Sequence, residues 1–409
     1  MLSTRSSLLV SLAVVGLALT ACTTTPPPPP IVMPPPVKVV SPPVVAPVPP
    51  PVEVPPPKPA PAPLMTPTTF SALPGWDRDD VREALPSFLN SCIVLIRRPD
   101  WSQACAAARA LNPNDGAAVR AFFENNFVPN LIRAEDGSDT GLITGYYEPL
   151  LRGARTRGGE FQTPLYKVPD DLLTVDLASV YPSLKGMRLR GRVVGKKVIP
   201  YSTRAEIDRA EVNGKELLWV DSAVDAFFLE VQGSGRVALA DTGETVRVAF
   251  ADQNGHPYKA IGRWLVEQGE LTVEQATMQG IKGWIEANPA RRQELFNANP
   301  SYIFFKEERL PDPRVGPKGA MGVPLTPARS VAIDPKFIPL GAPIYLSTTE
   351  AASEVPMQRL MMAQDTGGAI RGAVRADFFY GFGNEAGDKA GRMKQRGQVW
   401  VLMPKPAAR

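Results

Sequence analysis

Nearly every second residue is proline in the segment that runs from Thr23 to about Thr66. Proline lacks a backbone donor and fixes its own φ angle, so this segment cannot contribute helices or central strands to a core. We expect a polyproline II tether that reaches about 3.1 Å per residue; a docking site for a proline-recognising module is the alternative. The fold must therefore be built from Phe70 to Arg409.

The first residues have the pattern of a secretory signal. Met1 to Ala21 contains the apolar stretch Leu8 to Leu19 and ends on small residues, and no other stretch reaches the roughly 18 consecutive apolar residues of a membrane span. The ending Leu-Thr-Ala-Cys resembles a bacterial lipobox, which predicts a lipid anchor on Cys22 and a tether over 22–66. Thr23, in place of aspartate, resembles the outer-membrane class and predicts a lipoprotein facing the periplasm. An ordinary cleaved signal with Cys22 merely nearby is the alternative.

The net charge of the chain is small. A formal charge of +4 and a pI of about 8.9 are spread along the sequence instead of gathered in one run, which argues against nucleic acid as a partner. A mildly basic surface suits an acidic partner, but charge at this level does not select one.

Cys92 and Cys105 remain once Cys22 is assigned to the anchor. In an oxidising compartment they predict a disulfide that closes a short loop, worth about 3 kcal/mol in the chain-entropy model; two buried free thiols are the alternative. Zinc is disfavoured because His256 is the only histidine and no Cys-x-x-Cys spacing occurs. We expect no metal and no cofactor.

Hydrophobic periodicity divides the globular part into helical and β-rich regions. Spaced apolar residues predict helices first, and short alternating runs then predict a small antiparallel barrel or sheet and a second barrel-like domain. Helices are expected at 77–109, 115–127, 258–265, 273–287 and 291–297. Strands are expected at 142–147, 192–199, 217–220, 226–231, 236–239, 246–250, 330–333, 343–346, 358–365, 372–380 and 398–403. The expected fold class is mainly β with helices.

The segment Leu360 to Gly381 is the strongest candidate for chemistry. An apolar strand delivers Asp365 to a Gly-Gly turn and a second strand brings Asp377 back, so a hairpin turn near Arg371 and Gly372 would make the two aspartates face each other. Close carboxylates and the aromatic residues around Asp377 would raise a pKa, and a carboxyl protonated near neutral pH can protonate a glycosidic oxygen. The alternative is structural: Asp365 caps the turn and Asp377 ends a strand.

Several distinct motifs follow one another in order between about Thr144 and Leu402. They are Gly145-Tyr146-Tyr147-Glu148-Pro149, Val231-Gln232-Gly233-Ser234-Gly235, Asn254-Gly255-His256-Pro257-Tyr258, Asn299-Pro300-Ser301-Tyr302-Ile303-Phe304-Phe305, Val331-Ala332-Ile333-Asp334, Gln364-Asp365 and Arg375-Ala376-Asp377. With these motifs the chain resembles the membrane-bound lytic murein transglycosylase A family, which has a C-terminal three-aspartate domain.

That resemblance implies an architecture. A double-psi β-barrel domain would hold an inserted second β-barrel domain, with the glycan lying in the groove between them. Residues 67–148 and 305–409 would form the catalytic barrel with its helical N-terminal part, and residues 149–304 would form the insert.

The same resemblance implies site roles. Asp377 would protonate the oxygen between N-acetylmuramic acid and N-acetylglucosamine and then take the proton of the C6 hydroxyl of the same muramic residue. That hydroxyl replaces water and attacks C1, so a 1,6-anhydro ring forms and a second catalytic carboxylate is dispensable. Asp365 would support Asp377, and Asp334 would be structural. Glu148 stands where the family often carries threonine.

Polar, glycine-rich and aromatic positions near these motifs are expected to contact the glycan. Alternating strand faces would leave one of Tyr146 and Tyr147 in the core and the other free to stack on a sugar. His256, between glycine and proline, is expected to be structural. The expected substrate contacts are Thr144, Gly145, Tyr146, Tyr147, Gln232, Gly233, Ser234 and Tyr380.

Two functions of other classes stay open beside a peptidoglycan lyase, for which cleavage within a strand and cleavage from its end both fit the sequence. Asp365-Thr366-Gly367 resembles the catalytic turn of aspartic proteases, although such proteases need two turns and no second Asp-Thr-Gly or Asp-Ser-Gly occurs. The other is a wall-binding module without activity, expansin-like in its barrel.

Overall fold

The computed structural model describes residues 64–184, 186–210, 212, 214–310 and 312–406. The expected signal peptide, Cys22 and nearly all of the proline-rich tether lie outside these residues. Within them, no helix has the length and apolar character that crossing a bilayer requires.

The chain first forms a helical layer and three strands. In order, these elements are β1 (Met65–Pro67), α1 (Ala84–Leu95), α2 (Pro99–Arg109), α3 (Gly116–Asn126), β2 (Phe127–Ile132) and β3 (Gly141–Glu148). β1 is an edge strand that pairs antiparallel with β2, with Met65 opposite Ile132. The expected tether boundary at residue 66 is therefore wrong, because residues 65 and 66 already belong to the sheet; an edge strand also tolerates Pro67.

The predicted helix over 77–109 is two helices. Arg98 has an extended backbone and Pro99 occupies the first turn of α2, where a missing N–H costs no hydrogen bond. Cys92 of α1 and Cys105 of α2 form a disulfide with their Cα atoms 5.4 Å apart. The disulfide therefore fastens the two halves of this helical layer to each other.

The middle of the chain forms a second sheet with its own helices. In order, these elements are β4 (Leu150–Ala154), β5 (Thr163–Tyr166), β6 (Leu173–Thr174), β7 (Arg190–Val194), β8 (Lys197–Pro200), α4 (Arg204–Ala210), β9 (Glu216–Val220), α5 (Ala223–Gln232), β10 (Ser234–Leu239), β11 (Thr245–Gln253), α6 (Ile261–Glu267), α7 (Met278–Ala287), α8 (Arg292–Asn297) and β12 (Ile303–Glu308). Six strands follow the order β12-β11-β10-β4-β9-β5, and β6, β7 and β8 form a small separate sheet.

The strand expected at 226–231 is the helix α5. Its N-cap is Ser222, whose hydroxyl accepts a hydrogen bond from the Asp225 N–H at 3.1 Å, and it ends at Gly233, which has a φ of 82°. The short apolar run inside it fits a strand or a helix equally well. The capping serine and the closing glycine are the local helix signals that the hydrophobic pattern overlooked.

The last part of the chain returns to the first sheet. In order, its elements are β13 (Ser330–Ile333), β14 (Pro343–Thr349), β15 (Pro356–Asp365), β16 (Arg375–Phe382), α9 (Asn384–Arg392) and β17 (Lys394–Pro404). The sheet order is β1-β2-β17-β14-β15-β13-β16-β3, and β17 pairs with β3 as well. That extra pairing closes six strands into a barrel. The expected fold class, mainly β with a barrel and an inserted second β domain, is confirmed.

The core of the barrel continues into the helical layer. Phe88, Phe123 and Tyr345 are fully buried within one apolar cluster that includes residues of α1, α3 and β14. Burying large aromatic side chains is the main source of stability available to such a cluster. The helices therefore support the barrel from outside and hold the ends of its strands in place.

Candidate active site

A cleft of about 740 Å³ is lined by residues of both the barrel and the second domain. It contains Asp365 and Asp377, and it also contains seven of the eight expected substrate contacts, which makes it the candidate active site. The barrel contributes Thr144, Gly145, Tyr146 and Tyr147, and the end of α5 with the start of β10 contributes Gln232, Gly233 and Ser234.

Asp365 and Asp377 lie on either side of Ala332, not opposite each other in a hairpin. Strand β13 runs between β15 and β16, and Ala332 is the parallel partner of Asp365 and the antiparallel partner of Asp377. Two strand spacings therefore separate the aspartates, about 10 Å between Cα atoms. The expected hairpin is wrong because a strand from an earlier part of the chain takes the place between them.

A β-bulge aims Asp365 at the cleft. Val331 pairs with Ala363 but Ala332 pairs with Asp365, which leaves Gln364 as the extra residue. Gln364 is fully buried, and its amide donates to the Ser87 carbonyl at 2.7 Å and to the Ser91 hydroxyl at 3.0 Å. The residue before the carboxylate is thus fastened to α1.

The Asp365 carboxylate accepts three hydrogen bonds. Its Oδ1 accepts from the N–H groups of Ala320 at 2.8 Å and Thr366 at 2.9 Å, and its Oδ2 accepts from the Tyr146 hydroxyl at 3.0 Å. Burial raises the pKa of Asp365 to about 6, the three donors oppose that rise, and the charge of Asp377 adds to it. The donors hold this side chain in one orientation.

Asp377 has a different set of neighbours. Thr144 is its cross-strand partner on β3, and the Thr144 hydroxyl donates to Asp377 Oδ1 at 2.5 Å. Arg375 in turn donates to the Thr144 oxygen at 2.8 Å. Burial raises the pKa of Asp377, whereas the positive charge of Arg375 and the hydrogen bond from Thr144 lower it.

Arg375 was not among the residues expected in the site. It lies two residues before Asp377 on β16, and side chains two apart on a strand share a face. Both line the cleft. Strand alternation alone would have placed this arginine beside the carboxyl.

The two tyrosines of β3 have separate roles in the cleft. The Tyr146 ring is buried against Phe379, with the ring centroids 5.1 Å apart. Tyr147 is half-buried, and its N–H donates to Gln232 Oε1 at 3.0 Å. Gln232 thereby links the end of α5 to the barrel.

Tyr380 is the one expected substrate contact that does not line the cleft. Asp377 and Phe379 face the cleft from β16, so Tyr380 faces the other way, with its hydroxyl 3.4 Å from Met393 Sδ. Its ring packs where Gly145 has no side chain; a Cβ there would lie 2.7 Å from the ring. The expectation that Tyr380 contacts substrate is therefore wrong.

Asp334 and His256 have structural contacts. Asp334 is buried and accepts hydrogen bonds from the N–H groups of Gly372 at 2.9 Å and Lys336 at 3.2 Å. The His256 Nε2 lies 2.7 Å from the Tyr201 carbonyl oxygen. Neither residue lines the cleft.

Glu148 joins the barrel to the second sheet. Its fully buried carboxylate forms ion pairs with Arg236 of β10 at 2.9 Å and Arg247 of β11 at 2.5 Å. Breaking a buried pair of this kind leaves uncompensated charges and is strongly destabilising. The position therefore serves the junction between the two parts and does not face the cleft.

A metal site is not apparent in the part of the chain that the structure describes. Within those residues no group of three or more His, Cys, Asp or Glu side chains is arranged to hold a metal ion.

Two family models match the chain. The MltA specific insert domain matches residues 142–306, and the 3D domain matches residues 329–403. The membrane-bound lytic murein transglycosylase A of Escherichia coli strain K12 is 36% identical over 280 residues, which cover 65% of this chain and 66% of that protein. This chain thus spans about two thirds of the length of that relative.

Solved structures match over a larger share. The crystal structure of MltA from Neisseria gonorrhoeae is 37% identical, covers 84% of this chain and 93% of that chain, and has a TM-score of 0.72. The crystal structure of E. coli MltA with bound chitohexaose is 28% identical, covers 80% of this chain and 91% of that chain, and has a TM-score of 0.62. The chain belongs to the membrane-bound lytic murein transglycosylase A family.

Proposed function

We propose that this protein is a lytic transglycosylase that cleaves the β-1,4 bond between N-acetylmuramic acid and N-acetylglucosamine in peptidoglycan and leaves 1,6-anhydro ends. One observation carries the proposal: a half-buried Asp377 with a raised pKa lies in the cleft beside a hydroxyl donor and a cation. The names of its relatives support the reaction class, and a relative's structure contains a sugar oligomer, chitohexaose.

Asp377 is the acid in the first step. Because burial raises its pKa, the carboxyl keeps a proton that an exposed aspartate would lose, and it can donate that proton to the glycosidic oxygen. The bond from C1 to that oxygen then breaks. Thr144 and Arg375 stabilise the carboxylate that remains. Burial thus favours the protonated form of Asp377, and these two neighbours favour its ionised form.

The same carboxylate is the base in the second step. It accepts the proton of the C6 hydroxyl of the muramic residue while O6 forms a bond to C1. Asp377 is thereby protonated again, and no water enters the reaction. Since the nucleophile belongs to the substrate, its position is fixed by the bound sugar and not by a second catalytic carboxylate.

Asp365 is a positioning and electrostatic group in this scheme. Its three donors hold the carboxylate in one orientation. When Asp365 is ionised, its negative charge stabilises the positive charge that develops at the anomeric carbon. The Tyr146 hydroxyl, which donates to it, is held by the ring packing against Phe379.

The remaining cleft residues bind the glycan. The Oε1 of Gln232 is occupied by Tyr147, which leaves its amide nitrogen to donate to sugar hydroxyls. Gly233 and Ser234 bring backbone groups close to the bound glycan strand. Phe250, 40% exposed on the cleft wall, offers an aromatic face to a sugar ring.

We assign residues 65–148 and 309–409 to the catalytic barrel domain and residues 149–308 to the insert, because β1 of the barrel sheet begins at Met65 and β12 of the second sheet ends at Glu308. We also place the protein on the periplasmic side of the outer membrane. A lipid on Cys22 would anchor it, and the proline-rich segment would extend the catalytic part toward the wall.

Mass spectrometry of products from purified sacculi tests the proposal. Anhydro-muropeptides are the expected products. Reducing glycan ends would indicate a hydrolase, and peptide fragments whose release is blocked by pepstatin would indicate an aspartic protease. Intact sacculi that retain the bound protein would indicate a wall-binding module, and each of these three results would overturn the proposal.

A further inference from the structure

One arginine of the cleft differs from the others in having no partner. The arginines that line the cleft are Arg188, Arg190, Arg204 and Arg375. Three of them are engaged: Arg190 by Asp252 at 2.9 Å, Arg204 by Glu230 at 2.7 Å and Arg375 by the Thr144 hydroxyl at 2.8 Å. Among the described residues Arg188 has no hydrogen-bond or ion-pair partner; its guanidinium lies 6.0 Å from the centre of the Phe250 ring.

A second cation, Arg371, directly follows the cleft-lining residue Ile370 on the barrel side. Arg371 lies in the loop that follows Asp365, it is exposed, and the described part of the chain gives it no partner either. Partial burial, then the like charges of Arg371 and Arg190, lower the pKa of Arg188. The two guanidinium groups belong to different domains, and their like charges repel each other.

Among the described residues, the acids that act on Arg188 already have partners of their own. The acidic groups that act on Arg188 are Asp252 and Asp365. Asp252 is held by Arg190, and Asp365 already accepts hydrogen bonds from three donors. Like charges without a counter-charge are unfavourable in the free protein and become favourable when an anion binds between them.

We propose that Arg188 and Arg371 bind a carboxylate on the lactyl side chain of the muramic residue, and specifically one of its peptide stem. The inference rests on the proposed function. The glycan backbone itself is uncharged, so the carboxylates of this side chain are the anions that a strand brings into the cleft. Guanidinium groups match a carboxylate with paired N–H donors, and Arg188 lines the same cleft as Asp377, so the anion site lies in the cleft that holds the reacting bond.

Matched substrates and variants test this inference. Stem-bearing strands are compared with the same strands whose carboxylates have been converted to neutral amides, and stem-free strands, which expose the lactyl carboxylate, are treated in the same way. The enzymes are wild type, Arg188→Gln, Arg371→Gln and, as a control, Arg209→Gln on the exposed face of α4, outside the cleft. The kcat/KM for release of anhydro ends is measured for each pair.

We expect Arg188→Gln to lower kcat/KM on native stem-bearing strands by about 10-fold, the usual effect of losing a charge-assisted contact. Amidation of the strands should lower the kcat/KM of the wild type to that of Arg188→Gln. It should leave the kcat/KM of Arg188→Gln unchanged, because amidation and the substitution remove the same interaction. Arg371→Gln should show a smaller loss of the same kind, and Arg209→Gln should match the wild type.

An equal loss on native and amidated strands, or no loss on either, would overturn the inference. Loss confined to stem-free strands would assign the carboxylate to the lactyl group and would overturn the assignment to the peptide stem. Wild-type enzyme that releases no anhydro ends from any strand would instead refute the proposed function, so the two failures are distinguishable.

Discussion

The two walls of the cleft carry charged side chains in different surroundings. On the barrel wall, Asp365 and Asp377 are half-buried, and donors from neighbouring segments fix both carboxyl groups. On the wall of the second domain, Arg188 is exposed and has no hydrogen-bond or ion-pair partner among the described residues. A buried acid with fixed neighbours suits proton transfer, whereas an exposed unpaired cation suits binding. Proton transfer is thus assigned to the barrel, whereas recognition of the glycan draws on both domains.

The comparison is tested most strongly by Asp377→Asn, which keeps the size of the side chain but removes the transferable proton. We expect kcat to fall by about 10³-fold or more, with binding of glycan strands retained. Product release from sacculi and a strand-binding assay measure the two effects. Asp100→Asn, at an exposed position of α2, is the matched control, and near-normal anhydro product from Asp377→Asn would make Asp365 the better candidate.

Asp365→Asn should have a smaller effect on activity. The asparagine oxygen can still accept from Ala320 and Thr366, but the negative charge is lost, so we expect kcat to fall by about 10- to 100-fold. A loss as large as that of Asp377→Asn would contradict the division of roles between the two aspartates. Steady-state kinetics on the same strands decide between these results.

The same variant should be more stable than the wild type at neutral pH. The pKa of Asp365 is raised from 3.8 to about 6 in the folded protein, so the folded state holds the proton more tightly than the unfolded state. Asp365 therefore contributes fully to the free energy of unfolding below about pH 4. That contribution, up to about 3 kcal/mol, is lost as the pH rises through about 6. Denaturant unfolding at pH 7 should give a higher free energy of unfolding for Asp365→Asn than for the wild type. An equal or lower free energy would contradict the prediction that ionised Asp365 destabilises the fold.

Thr144→Val should change the pH dependence with only a modest loss of rate. The Thr144 hydroxyl lowers the pKa of Asp377, so its removal raises that pKa and keeps the acid protonated to higher pH. We expect the high-pH limb of the rate profile to move to higher pH and kcat to fall about 5-fold. Thr245→Val, exposed on β11, is the control, and a shift to lower pH would contradict the assigned hydrogen bond.

Sequence motifs predict Asp365 and Asp377 as site residues, and both line the cleft, but the motifs do not predict how the two are arranged. Local pattern suggested that consecutive strands pair, because a Gly-Gly turn lies between them. The barrel instead places β13 between β15 and β16, and pairing between distant segments leaves no local signal. The same limit explains why Arg188 and Arg371 were not predicted: their proximity depends on how two domains meet.

Local signals in the sequence account for two further differences between the expected and the observed structure. Tyr380 is three residues after Asp377 on one strand, so alternation already places it on the opposite face. The helix α5 has a capping serine at its start and a glycine at its end, although its apolar run fits a strand. Both cases show that specific stereochemical signals deserve more weight than composition in short segments.

Digestion of sacculi in water labelled with oxygen-18 tests the central claim most directly. If Asp377 serves as acid and then as base, with the C6 hydroxyl as nucleophile, every new muramic end is an anhydro ring and contains no oxygen-18. Mass spectrometry of the released muropeptides should therefore find unlabelled anhydro ends. Reducing ends that carry oxygen-18 would show that water attacks C1, and would contradict the account.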